Sequence, residues 1–350
     1  MLRRSRLYIG LLLTLGAASS PAQTSPIPAA DYTVARTWRI GGTAGWDTLA
    51  LQDTGSRLFV SRTDHVDVVD TRSGRLVGTI PHTVGVHGIA FAPALNRGFT
   101  SNGQSNTVSV FELDTLRVIQ ELPVTGMQPD AIFYEPQHNY IITSNHESAD
   151  LTVFDAGALR QIATVKLPAP PESIAADGSG HLYVNINSAP GKLVLLDAKT
   201  LGVRAKWPLK DCANPTAINL DAPNHRIFSV CANQVVAVTD SVSGKAIARI
   251  VIGRGSDGIG FDPDLGLLFT ANGIDGTLTV IHQDSADDYR VLATVTTQVS
   301  ARTMVLDPAT HRIYLAAAQF GPPPAPTGEQ PAPRANILPD TFVILVAQPK

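Results

Sequence analysis

The chain repeats itself, and that constrains its fold more than any local propensity does. A pattern of apolar strand, turn and apolar strand begins as DTLALQDTGSRLFVS at Asp47. It returns as HGIAFAPALNRGFTS at His87, DAIFYEPQHNYIITS at Asp130 and ESIAADGSGHLYVNI at Glu172. The last three copies are TAINLDAPNHRIFSV at Thr216, DGIGFDPDLGLLFTA at Asp257 and RTMVLDPATHRIYLA at Arg302. Seven copies at a period of roughly 40–45 residues mark a repeat architecture. Each copy continues into a third strand, as in TVSVFELD or LTVFDA, and a fourth, as in RVIQELPV or RQIATVKLP. Four antiparallel strands per period describe a propeller blade. An open solenoid would need capping repeats, whereas a propeller closes on itself.

Closure can also be read. The seventh copy is interrupted after its second strand by a proline-rich insertion, residues 321–339, followed by a third strand at residues 341–347. The chain then stops one strand short. Residues 31–40, DYTVARTWRI, supply the missing strand ahead of the first copy. Pairing the two termini in one sheet would leave no open edge. The expectation is an all-β, seven-bladed β-propeller, four antiparallel strands per blade, with the last blade closed by the N-terminal strand. Residues 31–350 form one domain in this reading.

Ahead of that domain, MLRRSR carries three arginines, LYIGLLLTLGAA an apolar core and SSPAQ small residues around a cut after Ala22. That order describes a secretory signal peptide over residues 1–22, followed by a short linker at 23–30. The apolar run is too short for a membrane anchor, which needs about 20 residues, and no later stretch qualifies. The mature chain is therefore expected to be exported, periplasmic or secreted, without a membrane span and monomeric. Loss of Arg3, Arg4 and Arg6 makes it three charges more negative than the formal −3 of the whole chain. An acidic balance disfavours nucleic acid as a ligand, because phosphate binding rests on clustered lysine and arginine. Cys212 and Cys231, the only two cysteines, flank one strand hairpin at the same edge of the fifth blade, and in an exported protein they are expected to form a disulfide.

The segment GMQPDAIFYEPQHNYIITSNHESADLTVFDAGALRQIATVKLP resembles the YVTN-type β-propeller repeat. FTSN (99–102), ITSN (142–145), YVNIN (183–187) and FTAN (269–272) stand where that family has Tyr-Val-Thr-Asn. The resemblance covers essentially the whole mature chain. It implies the propeller fold, but not one activity: the superfamily includes surface-layer and periplasmic scaffolds, haem-binding domains, lactone-hydrolysing relatives and a single-stranded-DNA binder.

In a propeller the first strand of each blade lines the channel and begins at one mouth. Asp47, His87, Asp130, Glu172, Thr216, Asp257 and Arg302 hold that position here. The loops after the second strands open on the same face and add His65, Asn102, Asn145, His146, Asn187, Asn233 and Asn272. Short polar residues at strand ends also fix turns, which is a competing role for the asparagines. The acidic ring is less easily explained that way, since four carboxylates on one axis repel unless a cation, a proton or Arg302 intervenes.

Three uses of the mouth follow. It can hold a small molecule or a segment of a partner protein. It can act as a lactonase-like hydrolase, with His87, Glu172 and Arg302 of the residue types needed for acid–base work and oxyanion stabilisation. Or Asp47, Asp130, Glu172 and Asp257 can bind a divalent cation such as calcium, which favours oxygen ligands. The stretch DPDLG (262–266) has the opening of a calcium loop but reads more simply as a turn. Covalent haem is excluded by the lack of Cys-x-x-Cys-His, and a noncovalent haem would need His87 or His146 as axial ligand. No nucleophile elbow and no phosphate-binding glycine loop is present. The insertion at 321–339 is read as a surface loop, or as a lid or docking arm near Arg302.

Overall fold

The computed structural model describes residues 31–52, 55–325 and 335–350. The expected signal peptide and linker, and residues 326–334 of the insertion, lie outside the described residues.

Seven four-stranded antiparallel sheets make up the fold, each built from one copy of the repeat. Blade 3 is representative. Its strands run Pro129–Glu135, Tyr140–Asn145, Asp150–Asp155 and Arg160–Lys166, in order from channel to rim. Turns between them use left-handed backbone at Asn139, Ala149 and Leu159. Asp155 stabilises the last turn, its Oδ1 accepting from the amides of Gly157 and Ala158 at 2.9 and 2.7 Å.

The strands bury both faces, as their nearly continuous apolar runs require. Seven hydrophobic clusters fill the seven spaces between adjacent blades. Phe99 and Val110 of blade 2 meet Ile141 and Phe154 of blade 3, for instance, and Phe228 of blade 5 packs on Leu268 and Ile281 of blade 6. The outer strand of blade 3 alternates exposed and half-buried residues, as a solvent-facing strand does.

The seventh blade closes as expected. Tyr32–Arg39 pairs antiparallel with Val343–Pro349, which pairs with Arg312–Ala317 and then Met304–Asp307. The third strand lies two residues later than the sequence suggested. Tyr32 carries the closure into the core, its ring edge-on to Phe269 of blade 6 at 4.9 Å between centroids. Cys212 and Cys231 form the expected disulfide, with Cα atoms 5.4 Å apart. Asp262 Oδ1 accepts from the amides of Asp264 and Leu265, so DPDLG is a turn. Among the described residues, no helix is long and apolar enough to cross a membrane.

Candidate functional site: the channel mouth

Six of the seven inner strands carry the same irregularity at the same place. In blade 3 Pro129 pairs with Asn145, but the next pair is Ile132 with Thr143, so Asp130 and Ala131 share the space opposite Ser144. The same one-residue excess falls at Asp47 in blade 1, His87 in blade 2, Glu172 in blade 4, Thr216 in blade 5 and Asp257 in blade 6. These are β-bulges, which turn a side chain out of the regular alternation. Six of the seven mouth residues are thus presented by a bulge. Arg302 precedes the shorter inner strand of blade 7.

A bulge frees backbone groups that then need partners. The side chains opposite supply them. Ser61 Oγ accepts from the Thr48 amide at 2.8 Å, and Ser101 Oγ from the Gly88 amide at 2.9 Å. Ser101 Oγ also donates to the Asp130 carbonyl of the next blade, Ser144 Oγ to the Glu172 carbonyl at 2.6 Å, and Asn185 Nδ2 to the Ala217 carbonyl at 3.1 Å. The second strands of blades 2, 3 and 4 therefore help to hold their neighbours' mouth segments in place. The sequence shows these residues as part of the Tyr-Val-x-Asn-like run, but its period cannot show the bulge they serve.

The ring side chains form one connected arc. Arg302 Nε donates to Asp257 Oδ2 at 3.2 Å, and its Nη2 donates to Asp47 Oδ1 at 3.3 Å and to the Trp46 carbonyl at 3.2 Å. Asp47 Oδ2 lies 2.7 Å from His87 Nδ1, which is 3.5 Å from Asp130 Oδ1. Beyond Asp130, His146 Nδ1 stands 3.3 Å from Glu172 Oε1, which accepts from Asn187 Nδ2 at 2.6 Å. The backbone amide of His146 donates to the Gln128 carbonyl at 2.9 Å, which tethers this rim loop to the bulged strand.

Crowding sets the protonation of the arc. Burial, with the charges of Asp47 and Glu172 nearby, pushes Asp130 from the ordinary 3.8 up to about 7, and His87 opposes the shift. Asp257 is pushed up to about 6 by burial and by Asp47, with Arg302 opposing. His87 is raised chiefly by its bond to Asp47, and His146 by the adjacent Glu172 carboxylate. Like charges gathered in a desolvated site ionise reluctantly, while the imidazoles between them hold protons more firmly.

The asparagines divide between two settings. Asn187 joins the arc through Glu172. Asn102, Asn145 and Asn272 are buried in the blades. Asn145 Oδ1 accepts from Thr143, and its Nδ2 donates to Asp150 and Thr152; Asn102 and Asn272 make equivalent bonds to their own Thr and Ser neighbours. Their amides lock the second strand to the third. Asn233 ties its loop to the one before the inner strand of blade 5, accepting from the Ala213 amide and donating to the Asp211 carbonyl. Thr216 Oγ1 reaches the Ser256 carbonyl at 3.5 Å, and His65 pairs with Asp64 and Asp67 in blade 1. Arg62 occupies in blade 1 the position of Asn102 and Asn145. Buried, it pairs with Asp67 at 2.7 Å, lies over the Phe342 ring at 3.7 Å and donates to the carbonyls of Ala44 and Gly45. Cys231 occupies the same position in blade 5.

Two depressions open at the mouth beside Arg302. The larger, about 740 Å³, lies between Trp46, Asp257, Arg302, Phe320 and Ile337. The smaller, about 240 Å³, reaches Asp47 and His87. Trp46, Gly45 and Arg302 border both. The described ends of the proline-rich insertion therefore form one wall, held by the Phe320–Ile337 bridge. The three proposed acid–base residues are only partly united. His87 and Arg302 converge on Asp47, whereas Asp130 stands between His87 and Glu172. Of the four carboxylates expected around a cation, Asp257 is tied to Arg302. The others join imidazoles in two groups able to hold a metal ion: Asp47, His87 and Asp130, and Asp130, His146 and Glu172.

No family model matches the chain. A stretch of 125 residues is 28% identical to antigen Lp49 of Leptospira interrogans serogroup Icterohaemorrhagiae serovar copenhageni (strain Fiocruz L1-130). The match covers 34% of this chain and 27% of the length of that protein. Among solved structures, Kuenenia stuttgartiensis hydrazine synthase shares the fold with a TM-score of 0.70 at 17% identity, over 85% of this chain and 96% of that one. At that identity the likeness is one of fold. It leaves both binding and catalysis open to this propeller.

Proposed function

We propose that the protein is an exported propeller of the YVTN-repeat type that uses the ring-side mouth to bind a cationic small molecule or a basic segment of a partner protein. The leader at residues 1–22 and the disulfide support an oxidising compartment, periplasmic or extracellular. Residues 31–350 act as one domain and as a monomer. The observation that carries the reading is the coupled acidic arc beneath an aromatic-walled depression. Of the four carboxylates Asp257 lines that depression, together with Arg302, and Trp46 and Phe320 stand 6.0 Å apart beside it. A carboxylate next to the exposed Phe320 ring suits ammonium and guanidinium groups.

The test uses the full mature chain in chelator, with spermidine and a short lysine- and arginine-rich peptide as probes in thermal unfolding and calorimetry. Binding that raises the unfolding temperature and is lost in Asp257→Asn is expected. Absence of binding by either probe, or binding unaffected by Asp257→Asn, would sink the reading.

A hydrolytic role is the second reading, favoured by His87 held between Asp47 and Asp130 with the Arg302 guanidinium nearby. It predicts turnover of lactone substrates that disappears in His87→Ala while the fold persists. Equal turnover by the variant would remove His87 from that role.

A further inference from the structure

We propose that the mouth holds a pair of divalent transition-metal ions bridged by Asp130. The inference rests on the reading that this mouth is the functional face, and it specifies what sits at its base. Asp130 belongs to two groups, one with Asp47 and His87, the other with His146 and Glu172. Within each group the candidate ligand atoms lie within 4.8 Å of one another. Each group offers one imidazole nitrogen and two carboxylates, and Asp130 has two oxygens, one for each ion.

Two further observations point to a cation at this place. His146 Nδ1 is buried and makes no hydrogen bond, although Glu172 Oε1 lies 3.3 Å away. Among the described residues no hydrogen bond is donated to the Asp130 carboxylate; its nearest cation is His87 Nδ1 at 3.5 Å. The His146 imidazole, with only the Glu172 contact at 3.3 Å, and the Asp130 carboxylate, with no hydrogen-bond donor, would both gain from a shared cation.

The supporting contacts resemble those that hold metal ligands in register. Asn187 donates to Glu172, while Ser101 and Ser144 fix the backbones of Asp130 and Glu172. Mixed nitrogen and carboxylate ligation suits zinc or manganese better than calcium, which prefers oxygen throughout. Two ions sharing a carboxylate sit about 3.5–4 Å apart in such centres. Three protein ligands per ion leave coordination positions open toward the mouth, for water or an incoming group.

Zinc titration of the full mature chain by calorimetry, repeated with manganese and calcium, tests the proposal. The expected result is two equivalents of zinc per chain and weaker calcium binding. His87→Ala and His146→Ala should each retain one equivalent, and Asp130→Asn should weaken both sites by about tenfold or more. Far-ultraviolet circular dichroism establishes that each variant is folded; if Asp130→Asn is not, the two histidine variants decide. No zinc binding beyond that of the double variant His87→Ala/His146→Ala would overturn the proposal. So would a stoichiometry unchanged in every variant, or a single equivalent abolished by either histidine change. Because the cationic probes above are tested in chelator, failure to bind metal leaves that reading standing, and failure of the probes leaves this one standing.

Discussion

Gly103 shows how single residues shape the mouth. A Cβ there would come within 2.9–3.0 Å of the His87 ring and 3.3 Å of the Pro129 carbonyl. Gly103→Ala should therefore push His87 away from Asp47, and because that bond is the main cause of the raised His87 pKa, the pKa should fall. Histidine-selective NMR titration checks this; an unchanged value would mean that the ring has room to spare. Arg62 makes a different prediction. Removing it leaves buried Asp67 with only the longer contact to His65 at 3.5 Å, and breaking a buried pair costs about 3–5 kcal/mol, so Arg62→Ala should lose stability on that order in chemical denaturation. Neither role was legible in the sequence. Glycine in a repeat reads as turn chemistry, and Arg62 stands out only as the residue that replaces an asparagine. The sequence puts His146 on the rim, but its approach to Glu172 goes with a backbone bond to Gln128 that no local pattern announces.

The inner strand with its bulge is the element that turns a repeat into a site. The near-constant period made the ring membership readable, because equivalent positions in a propeller must circle the axis. Strand alternation, however, assigns each residue a face on the assumption of one-to-one pairing, and the bulge breaks that assumption at the mouth residues themselves. Ser101 and Ser144 are its supports. Ser101→Ala should leave the Gly88 amide and the Asp130 carbonyl without their shared partner and cost about 1–3 kcal/mol. The same change should loosen Asp130, so its effect on mouth binding should exceed that of Ser105→Ala, whose hydroxyl contacts only Thr107 on an exposed turn. Equal effects of the two substitutions on binding would show that the bulge support does not position the ring. The buried asparagines belong to this same level of structure. Their amides bind the second strand to the third, and the sequence had offered that turn-fixing role beside the ligand-binding one.

Closure brings all seven blades to bear on one axis, and the stability of the whole molecule should register the result. Asp130, raised to about 7, and Asp257, raised to about 6, bind more protons in the folded chain than in the unfolded one between about pH 4 and their folded values. Folding is therefore progressively disfavoured as pH rises through that window. The raised histidines, His87 and His146, act in the same direction, since a proton held more tightly by the folded state stabilises it until pH passes the folded pKa. In chelator, the unfolding temperature should fall from pH 5 to pH 8, and Asp130→Asn should flatten the decline. A rise over that range would reverse the electrostatic account. The architecture itself, including the strand exchange between the termini, was readable from the repeat because closure has only one missing strand to fill. What the repeat could not convey is the convergence of side chains across blades, which depends on distances between residues some 40 positions apart.

The most direct measurement is the carboxyl titration of Asp130 by NMR in aspartate-labelled, metal-free protein. The account predicts a midpoint at about 7, shifted downward in Asp47→Asn and Glu172→Gln as each neighbouring negative charge is removed. A midpoint in the ordinary carboxylate range, indifferent to those substitutions, would mean that the mouth residues do not form a coupled cluster.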